Sequence, residues 1–238
     1  MIKNTKYAKG FTLIEILFAL FIGLLLLSTT YVAMISGQRS SAALEDRVVA
    51  QQDARAALEL MALEIGMASY NPNFVTGIWR NSGDCVNASA NQTYKGIQTA
   101  TVNAITVEMD IGDNGSVGPP DANEIIAYVY DWANERITRE TGCGAGAQSF
   151  LGEVPGTQGR SVRVINNTLN IPMFRYFDGM GVEILAAGLP AGIPNIRRIE
   201  ITLAVETEDV DPNAPGTNQR RRMIYSTSVI TRNHAINL

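Results

Sequence analysis

An apolar run near the N-terminus constrains the fold of this chain more than any other feature. From Phe11 to Ser36 the only charged side chain is that of Glu15, and three lysines precede the run, namely Lys3, Lys6 and Lys9. As a helix, residues 11–35 would span about 37 Å at 1.5 Å per residue, which is enough to cross a bilayer. Basic residues beside a membrane span favour the cytoplasmic side, so we expect the C-terminal bulk of the chain to lie across the membrane.

Glu15 presents an energetic problem within this run. A lone carboxylate in hydrocarbon costs a few kcal/mol unless a partner offsets it. If the chain is cut between Gly10 and Phe11, the new amino group lies one helical turn from Glu15, within reach of an i,i+4 pair. The alternative is an ordinary signal peptide or signal anchor, and a secretory signal would need a small-x-small cleavage site beyond the apolar core. Ser36-Gly37 offers only a weak site of that kind.

The segment around Glu15 resembles the prepilin signal of type IV pilins and type II secretion pseudopilins. The resemblance is carried by Lys9-Gly10-Phe11-Thr12-Leu13-Ile14-Glu15-Ile16: a basic leader, a glycine at the cut, a phenylalanine after it and a glutamate four residues further on. It implies that a membrane prepilin peptidase removes Met1 to Gly10 and methylates the amine of Phe11. It also implies that Glu15 pairs with the N-terminal amine of a neighbouring subunit during assembly.

A helix is predicted to continue past the apolar run, because no proline occurs between Phe11 and Asn71 and residues 39–68 are rich in helix formers. The helix is predicted to stop near Tyr70-Asn71-Pro72, since the residue before a proline is pushed out of the helical region. Apolar residues at spacings of three and four form one stripe: Leu44, Val48, Ala54, Leu58, Met61, Ile65 and Ala68. The acidic residues of the segment are expected mainly off this stripe: Asp46, Asp53, Glu59 and Glu64.

Beyond the helix the sequence predicts an antiparallel, β-rich domain. Residues 71–101 are polar with poor periodicity and are interpreted as a loop region with one short strand. Alternation predicts strands at 103–110 and 196–206, with 220–232 as the antiparallel partner of the latter. A central strand, apolar on both faces, is predicted at 124–131, and further strands are predicted at 136–141, 161–165, 169–177 and 182–185.

The predicted fold is therefore α+β and pilin-like, with one long N-terminal helix packed on an antiparallel sheet. Four regions follow from this interpretation: a leader at 1–10, a transmembrane or filament-core half of the helix at 11–36, an amphipathic half at 37–70, and a β-rich periplasmic head at 71–238. With 238 residues and 46% hydrophobic composition, the chain can bury a core of that size.

The chain has two cysteines, Cys85 and Cys143, and both lie beyond the membrane span. That compartment is oxidising if the organism is a diderm bacterium. The even count favours a disulfide between them. Two unpaired thiols are the alternative.

One loop resembles a worn calcium-binding loop. Asp110, Asn114, Gly115 and Asp121 fall at loop positions one, five, six and twelve, and Glu124 lies downstream. Gly112 stands where an oxygen ligand is expected, and Asp121 replaces the bidentate glutamate. These two departures favour a solvated hairpin loop, with calcium binding by Asp110, Asn114 and Asp121 as the alternative, and no cofactor is expected.

Several kinds of chemistry are disfavoured by composition. His234 is the only histidine, so imidazole metal clusters and most Ser-His-Asp or Cys-His arrangements lack a partner set, and His234 is interpreted as an incidental residue near the terminus. The formal charge is −4, from 19 basic and 23 acidic residues. Without the three leader lysines, 16 basic residues remain against 23 acidic ones, so the side chains of the mature chain carry a charge of −7. This acidity argues against nucleic-acid binding. Neither a reaction nor a small-molecule substrate is expected.

The last third of the chain resembles PilW-type minor pilins and the related GspJ-type pseudopilins. The resemblance is carried by Phe174-Arg175-Tyr176-Phe177-Asp178-Gly179, by the strand around Ile199 and by Thr231-Arg232-Asn233. It implies a minor pilin of a type IV pilus that bundles its helix with other major and minor pilins in assembly or initiation. The subunit would sit in the inner membrane with a periplasmic head before assembly, and in the extracellular pilus afterwards. A type II secretion pseudopilin near the pseudopilus tip is the alternative, and a signal-anchored periplasmic enzyme or sensor is a more distant one.

Overall fold

The chain divides into two compact units, Met1–Glu45 and Asp46–Leu238. The computed structural model describes residues 10–81, 84–142, 146–152, 162–210 and 220–235, and it describes the backbone alone for Asp84, Cys85, Ala122, Pro190 and residues 208–210. The described part of the first unit is the apolar run and the residues that follow it. Every strand among the described residues belongs to the second unit.

The long helix, α1, spans Leu13–Gly66 and contains 54 residues. It ends earlier than the proline at position 72 requires, and tertiary contacts explain the difference. Met67 and Ala68 form a tighter turn by donating to the carbonyls of Glu64 and Ile65. Ser69 then adopts a left-handed backbone with a φ of 66°, and its N–H donates to the Glu108 carbonyl at 2.8 Å. The chain thus leaves the helix by joining a strand.

Twelve strands and one short helix, α2 (Leu189–Gly192), occur among the described residues of the second unit. The first seven strands are β1 (Arg80–Asn81), β2 (Asp84–Ala88), β3 (Ile97–Ala100), β4 (Ala104–Glu108), β5 (Ile125–Asp131), β6 (Arg136–Thr141) and β7 (Gln148–Leu151). The remaining strands are β8 (Val162–Val164), β9 (Phe174–Phe177), β10 (Glu183–Ile184), β11 (Arg198–Val210) and β12 (Arg220–Ile230).

The strands form two antiparallel sheets of five strands and one small pair. Sheet I has the order β3-β4-β5-β6-β7, a simple meander, and β1 pairs with β2 separately. Sheet II is built around β11. One edge of β11 pairs with β12 from Arg198↔Ile230 to Glu206↔Arg222. The other edge pairs with β9 over residues 198–201 and with β8 over residues 205–207. One strand of 13 residues therefore aligns three others.

The core of the second unit lies between the end of α1 and the two sheets. The helix contributes Ala50, Ala54, Ala57, Leu58, Met61 and Ile65. Sheet I contributes Ile105, Val107 and Tyr128, among others, and sheet II contributes Ile199, Ile201, Leu203 and Val205. The apolar stripe predicted on the helix is wrong at its start, because Leu44 and Val48 are 58% and 49% exposed. Burial on α1 begins at Ala50.

Glu64 is a second correction on α1, since it was expected on the exposed side and is buried. Arg139 on β6 clasps it with two hydrogen bonds, from Nη2 to Oε1 at 2.6 Å and from Nε to Oε2 at 3.0 Å. The Tyr128 hydroxyl also donates to Glu64 Oε2. Burial and the adjacent Glu64 raise the pKa of Tyr128 well above its usual range, so the phenol remains a donor. A charged donor and a neutral donor together offset the cost of burying the carboxylate.

The α+β class, with a long N-terminal helix and antiparallel sheets, is confirmed. Strands coincide with the predictions at 103–110, 124–131, 136–141, 196–206 and 220–232. The loop region predicted at 71–101 is wrong in part, because it holds three short strands, β1 to β3. The β7 strand was not predicted. The region boundaries at residues 10, 36 and 70 stay predictions.

Candidate assembly site at the start of the helix

Thr12 and Glu15 close the N-terminal end of α1 by reciprocal hydrogen bonds. The backbone N–H and the hydroxyl of Thr12 donate to Glu15 Oε2 at 2.8 and 2.9 Å, and the Glu15 N–H donates to Thr12 Oγ1 at 3.3 Å. The Thr12 carbonyl accepts from Ile16 N–H at 3.3 Å, as the carbonyl before a first helical turn does. This arrangement is a capping box, which satisfies backbone donors that a helix start leaves open.

In the described part of the chain, the hydrogen-bond partner of Glu15 is Thr12. Phe11 precedes the helix, so its nitrogen is not placed by helical i,i+4 geometry. Pairing of Glu15 with the amine of a neighbouring subunit stays a prediction. The sequence contained a signal for the contact with Thr12 in Thr12-Leu13-Ile14-Glu15, which fits the threonine-x-x-glutamate pattern of a capping box. Both Thr12 donors converge on Oε2. Within the described residues, no hydrogen bond reaches the other carboxylate oxygen, Oε1.

Gly10 and Phe11, which flank the predicted cleavage position, are not covered by other described residues. The Phe11 residue is 85% exposed, and a Cβ added at Gly10 would meet no heavy atom within 4 Å. Residues 1–9 of the leader lie outside the described residues. Cleavage between Gly10 and Phe11 and methylation of Phe11 stay predictions.

The helix that follows presents an apolar surface without cover in the first unit. Within the described residues, α1 is the one helix long and apolar enough to cross a membrane, and its most apolar window has a mean hydropathy of 2.3 with no residue buried. The three hydroxyls of Ser28, Thr29 and Thr30 donate back to the carbonyls of Leu25 and Leu26 at 2.8 to 2.9 Å. These polar groups are therefore satisfied within the helix, as a hydrocarbon environment demands.

A comparison with protein-family models matches residues 5–31 to the prokaryotic N-terminal methylation motif. The chain carries this methylation motif. The match includes Gly10, Phe11, Thr12 and Glu15, so the methylation motif and the capping box occupy the same residues. The second unit lies outside the match.

Solved structures similar to this chain include a type IV-like pilin from Thermus thermophilus. It shares 13% sequence identity with this chain at a TM-score of 0.41, over 78% of this chain and 98% of that chain. A similarity of this size assigns no site and no function. A comparison of the sequence with curated proteins gives no match.

The disulfide predicted between Cys85 and Cys143 falls outside what the structure describes. Cys143 is not among the described residues, and Cys85 is described only as a backbone position on β2. The pairing stays a prediction, which alkylation of the native protein without reductant would test.

The calcium-like loop is held together by its own donors. Asp110 is fully buried, and its two carboxylate oxygens accept from the N–H groups of Asn114 and Gly115 at 3.2 and 3.0 Å. Asn114 turns its Nδ2 toward Asp121 and donates to Oδ2 at 2.8 Å, so it presents a donor there rather than a ligand oxygen. In the described part of the chain no three His, Cys, Asp or Glu residues are grouped to hold a metal ion. Calcium binding remains an untested alternative for this loop.

Glu124, which had no position in the calcium hypothesis, bridges the same loop. Its two carboxylate oxygens accept from Gly112 and Gly118 N–H at 2.8 and 3.0 Å. Burial raises the pKa of Glu124 despite these two hydrogen bonds. Its role in the structure is to hold the loop closed.

The interpretation of His234 as incidental is wrong, because the side chain is fully buried. Nε2 donates to the Ile193 carbonyl at 2.8 Å, which leaves Nδ1 to accept from the Ser69 hydroxyl at 2.8 Å. Ser69 Oγ in turn accepts from Gly96 N–H at 3.0 Å. Burial lowers the pKa of His234 to about 4, so the ring is neutral at ordinary pH. The ring ties the end of the chain to the residues that follow α1. A lone histidine whose partners are distant in sequence offered no signal of this contact.

Proposed function

We propose that the chain is a minor pilin subunit of a type IV pilus. The observation that carries the proposal is the conjunction, on residues 10–15, of the methylation motif with a glutamate that retains one oxygen without a hydrogen bond among the described residues. The exposed apolar helix behind that glutamate supports the proposal, since such a surface needs lipid or other helices to cover it. The chain acts in pilus assembly or initiation and performs no reaction.

Assembly begins with processing at the inner membrane. A prepilin peptidase cuts between Gly10 and Phe11 and methylates the Phe11 amine, while the second unit lies on the periplasmic side. The processed subunit then leaves the membrane and bundles its apolar helix with those of other major and minor pilins in the fibre.

Glu15 selects and positions the neighbouring subunit. Thr12 occupies Oε2 and fixes the orientation of the carboxylate, while Oε1 receives the N-terminal amine of the adjoining pilin. An unpaired carboxylate is expensive where water is scarce, so a neighbour that supplies the amine is strongly favoured.

Mass spectrometry of the N-terminus tests the processing step. We expect protein from cells that contain prepilin peptidase to begin at N-methylated Phe11, and Gly10→Val to retain the leader. Gly37→Val is the matched control, because a Cβ at either glycine meets no atom within 4 Å. An intact leader on protein recovered from assembled fibres would overturn the proposal.

Glu15→Gln tests the pairing step. Glutamine keeps an oxygen that can accept from Thr12 but removes the charge, so we expect normal membrane insertion and at least about ten-fold lower incorporation, equivalent to about 1.4 kcal/mol. Glu45→Gln changes an exposed glutamate of the same helix and is expected to leave incorporation unchanged. Equal incorporation of both variants would count against the role of Glu15.

Deletion of the gene separates a pilus subunit from a secretion pseudopilin. We expect loss of surface fibres with retention of secreted enzymes. The reverse outcome would assign the chain to a type II secretion pseudopilus.

A further inference from the structure

A surface cavity of about 510 Å³ opens on the second unit, and none of its lining residues belongs to the methylation motif. Its walls come from three segments that are distant in sequence: residues 75–79, the turn at Gln92–Tyr94 with the residue after it, and residues 194–197 before β11. The volume falls within the range of small-molecule binding sites, roughly 300–1,000 Å³.

The charge of this cavity is one-sided. Lys95 and Arg197 line it, and no acidic side chain is among its described lining residues. Lys95 Nζ donates to the His234 carbonyl at 3.1 Å, which holds the amine at the cavity wall. Burial and, to a lesser degree, the charge of Arg197 lower the pKa of Lys95, which agrees with two cations that lie near each other. A bound anion would relieve their repulsion.

Among the described residues, the guanidinium of Arg197 is held by hydrogen bonds from Nη1 alone. Its Nη1 donates to the carbonyls of Pro194 and Ile196, both at 2.8 Å. Nε and Nη2 donate to no atom in the described part of the chain, and no carboxylate pairs with Arg197 there. The Nε and Nη2 edge of a guanidinium matches the two oxygens of a carboxylate or a phosphate. Because the group is already held by two carbonyls, little side-chain entropy remains to be lost on binding.

Neutral polar groups complete the lining. The side chains of Thr76, Thr93 and Asn195 make no hydrogen bond with described residues, and they lie at the cavity with the edge of buried Trp79. Hydroxyl and carboxamide groups without partners suit a ligand that carries several hydroxyls of its own.

We infer that this cavity binds a sugar that bears a carboxylate or a phosphate, with Arg197 as the anchor of the anionic group. The inference goes beyond the proposed assembly function, because the cavity shares no residue with the methylation motif. Binding at this position would give the subunit a recognition role in addition to its place in a fibre.

Isothermal titration of the mature full chain in detergent micelles tests the inference. The probes are glucuronate and glucose 6-phosphate, with glucose as the uncharged comparison and acetate and inorganic phosphate as bare anions. We expect at least one charged sugar to bind ten-fold more tightly than glucose and than the bare anion that it carries. We also expect its affinity to fall as salt rises. Equal affinity for glucose, equal affinity for the bare anions, or no binding of either charged sugar would overturn the inference.

Two pairs of variants locate the site. Thr93 is exposed at the cavity rim, so Thr93→Glu adds a carboxylate without disturbing the core. We expect this variant to bind the charged sugar at least ten-fold more weakly. Thr93→Gln adds a side chain of similar size without the charge and is expected to change the affinity less than two-fold. Arg197→Gln removes the anchor, and Arg197→Lys keeps the charge without the planar edge, so both are expected to weaken binding, Arg197→Gln more. Unchanged binding in Thr93→Glu would contradict this location, and this variant does not depend on the structural hydrogen bonds of Arg197.

Discussion

Thr12 and Glu15 are joined by three hydrogen bonds: Thr12 donates its N–H and its hydroxyl to one carboxylate oxygen, and the Glu15 N–H donates to the Thr12 hydroxyl. The contact uses only one of the two carboxylate oxygens. That oxygen closes the start of α1, and under the proposed function the other receives the amine of a neighbouring pilin.

Replacing Thr12 with valine keeps the shape of the side chain and removes the hydroxyl. Two of the three hydrogen bonds are lost, so we expect a cost of about 1 kcal/mol, which corresponds to about five-fold lower incorporation into fibres. The measurement is the fraction of the subunit in sheared fibres relative to the membrane. Thr12→Ser restores the hydroxyl and is expected to restore incorporation. If serine and valine behave alike, the capping box has no part in assembly.

Glu108 predicts a stability that declines toward alkaline pH. The side chain is fully buried, Oε2 accepts from Arg80 N–H at 2.9 Å, and Oε1 has no hydrogen-bond partner in the described part of the chain. Burial raises the pKa of Glu108 from 4.5 to about 8. Because the folded pKa exceeds the unfolded one, the stabilisation is complete below pH 4.5 and is lost as the pH rises to about 8.

Glu108→Gln tests this dependence, since glutamine resembles the protonated carboxyl. Between pH 5 and 8 we expect the free energy of unfolding of the parent, measured with urea, to fall by about 1.4 kcal/mol per pH unit relative to that of the variant. Glu59→Gln, at an exposed position on α1, is expected to follow the parent at every pH. Parallel curves for Glu108→Gln and the parent would show that Glu108 is ionised when folded.

The pair Glu64–Arg139 and the more exposed pair Arg175–Glu183 each have two hydrogen bonds from arginine Nε and Nη2 to the carboxylate. Side-chain exposure is 9% for Glu64 and 25% for Arg139, against 32% for Glu183 and 38% for Arg175. We expect Glu64→Met alone to cost about 3 kcal/mol, because it leaves the partly buried guanidinium of Arg139 without its carboxylate, and the double change to methionine to cost less than the sum of the singles.

The matching double-mutant cycle at Arg175 and Glu183 is expected to give a coupling free energy below about 1 kcal/mol. Both cycles are measured by urea unfolding of the same full-length chain. Equal coupling in the two pairs would mean that burial does not strengthen the contact of α1 with sheet I.

Gly96 is required by the close approach of two backbone segments. A Cβ at this position would lie 2.3 Å from both the Glu108 carbonyl oxygen and the Ser69 nitrogen. We expect Gly96→Ala to lower the free energy of unfolding by about 3 kcal/mol, because the obstructing atoms are backbone and cannot rotate away. Gly188→Ala is the control, since its Cβ would meet nothing within 4 Å and its φ is −97°. A similar loss in both variants would exclude the close approach as the cause.

The loop at residues 110–124 is expected to be indifferent to calcium. Its carboxylates already accept hydrogen bonds from Asn114, Gly115, Gly112 and Gly118, so a cation would have to displace these donors. The thermal melt should be unchanged by calcium or by a chelator. A rise in Tm with calcium that disappears in Asp121→Asn would establish the site instead.

Much of the fold could be predicted because local pattern and tertiary environment agree. From Arg198 to Leu203, β11 alternates polar and apolar residues, and its apolar set faces the core, as the period of two requires. The apolar run likewise predicts a helix without knowledge of its surroundings. The short strands β1, β2, β3 and β7 have no such periodicity, and their pairing depends on neighbours that the local sequence does not reveal.

The side chains that bind distant segments together were the least predictable part. Glu64 belongs by sequence to the solvent side of α1, and only the arginine and the tyrosine that fold against it make burial tolerable. His234 and Ser69 are separated by 165 residues. The contact of Thr12 with Glu15 was different, because the threonine-x-x-glutamate pattern of a capping box can be found in the sequence alone.

The contact between Ser69 and His234 has a consequence for the order in which the molecule is completed. A polypeptide is synthesised from its N-terminus, and 165 residues separate the serine that follows α1 from the histidine. Until residue 234 has been made, the serine hydroxyl and the Ile193 carbonyl lack the ring that they share. This contact therefore forms only after all twelve described strands have been synthesised.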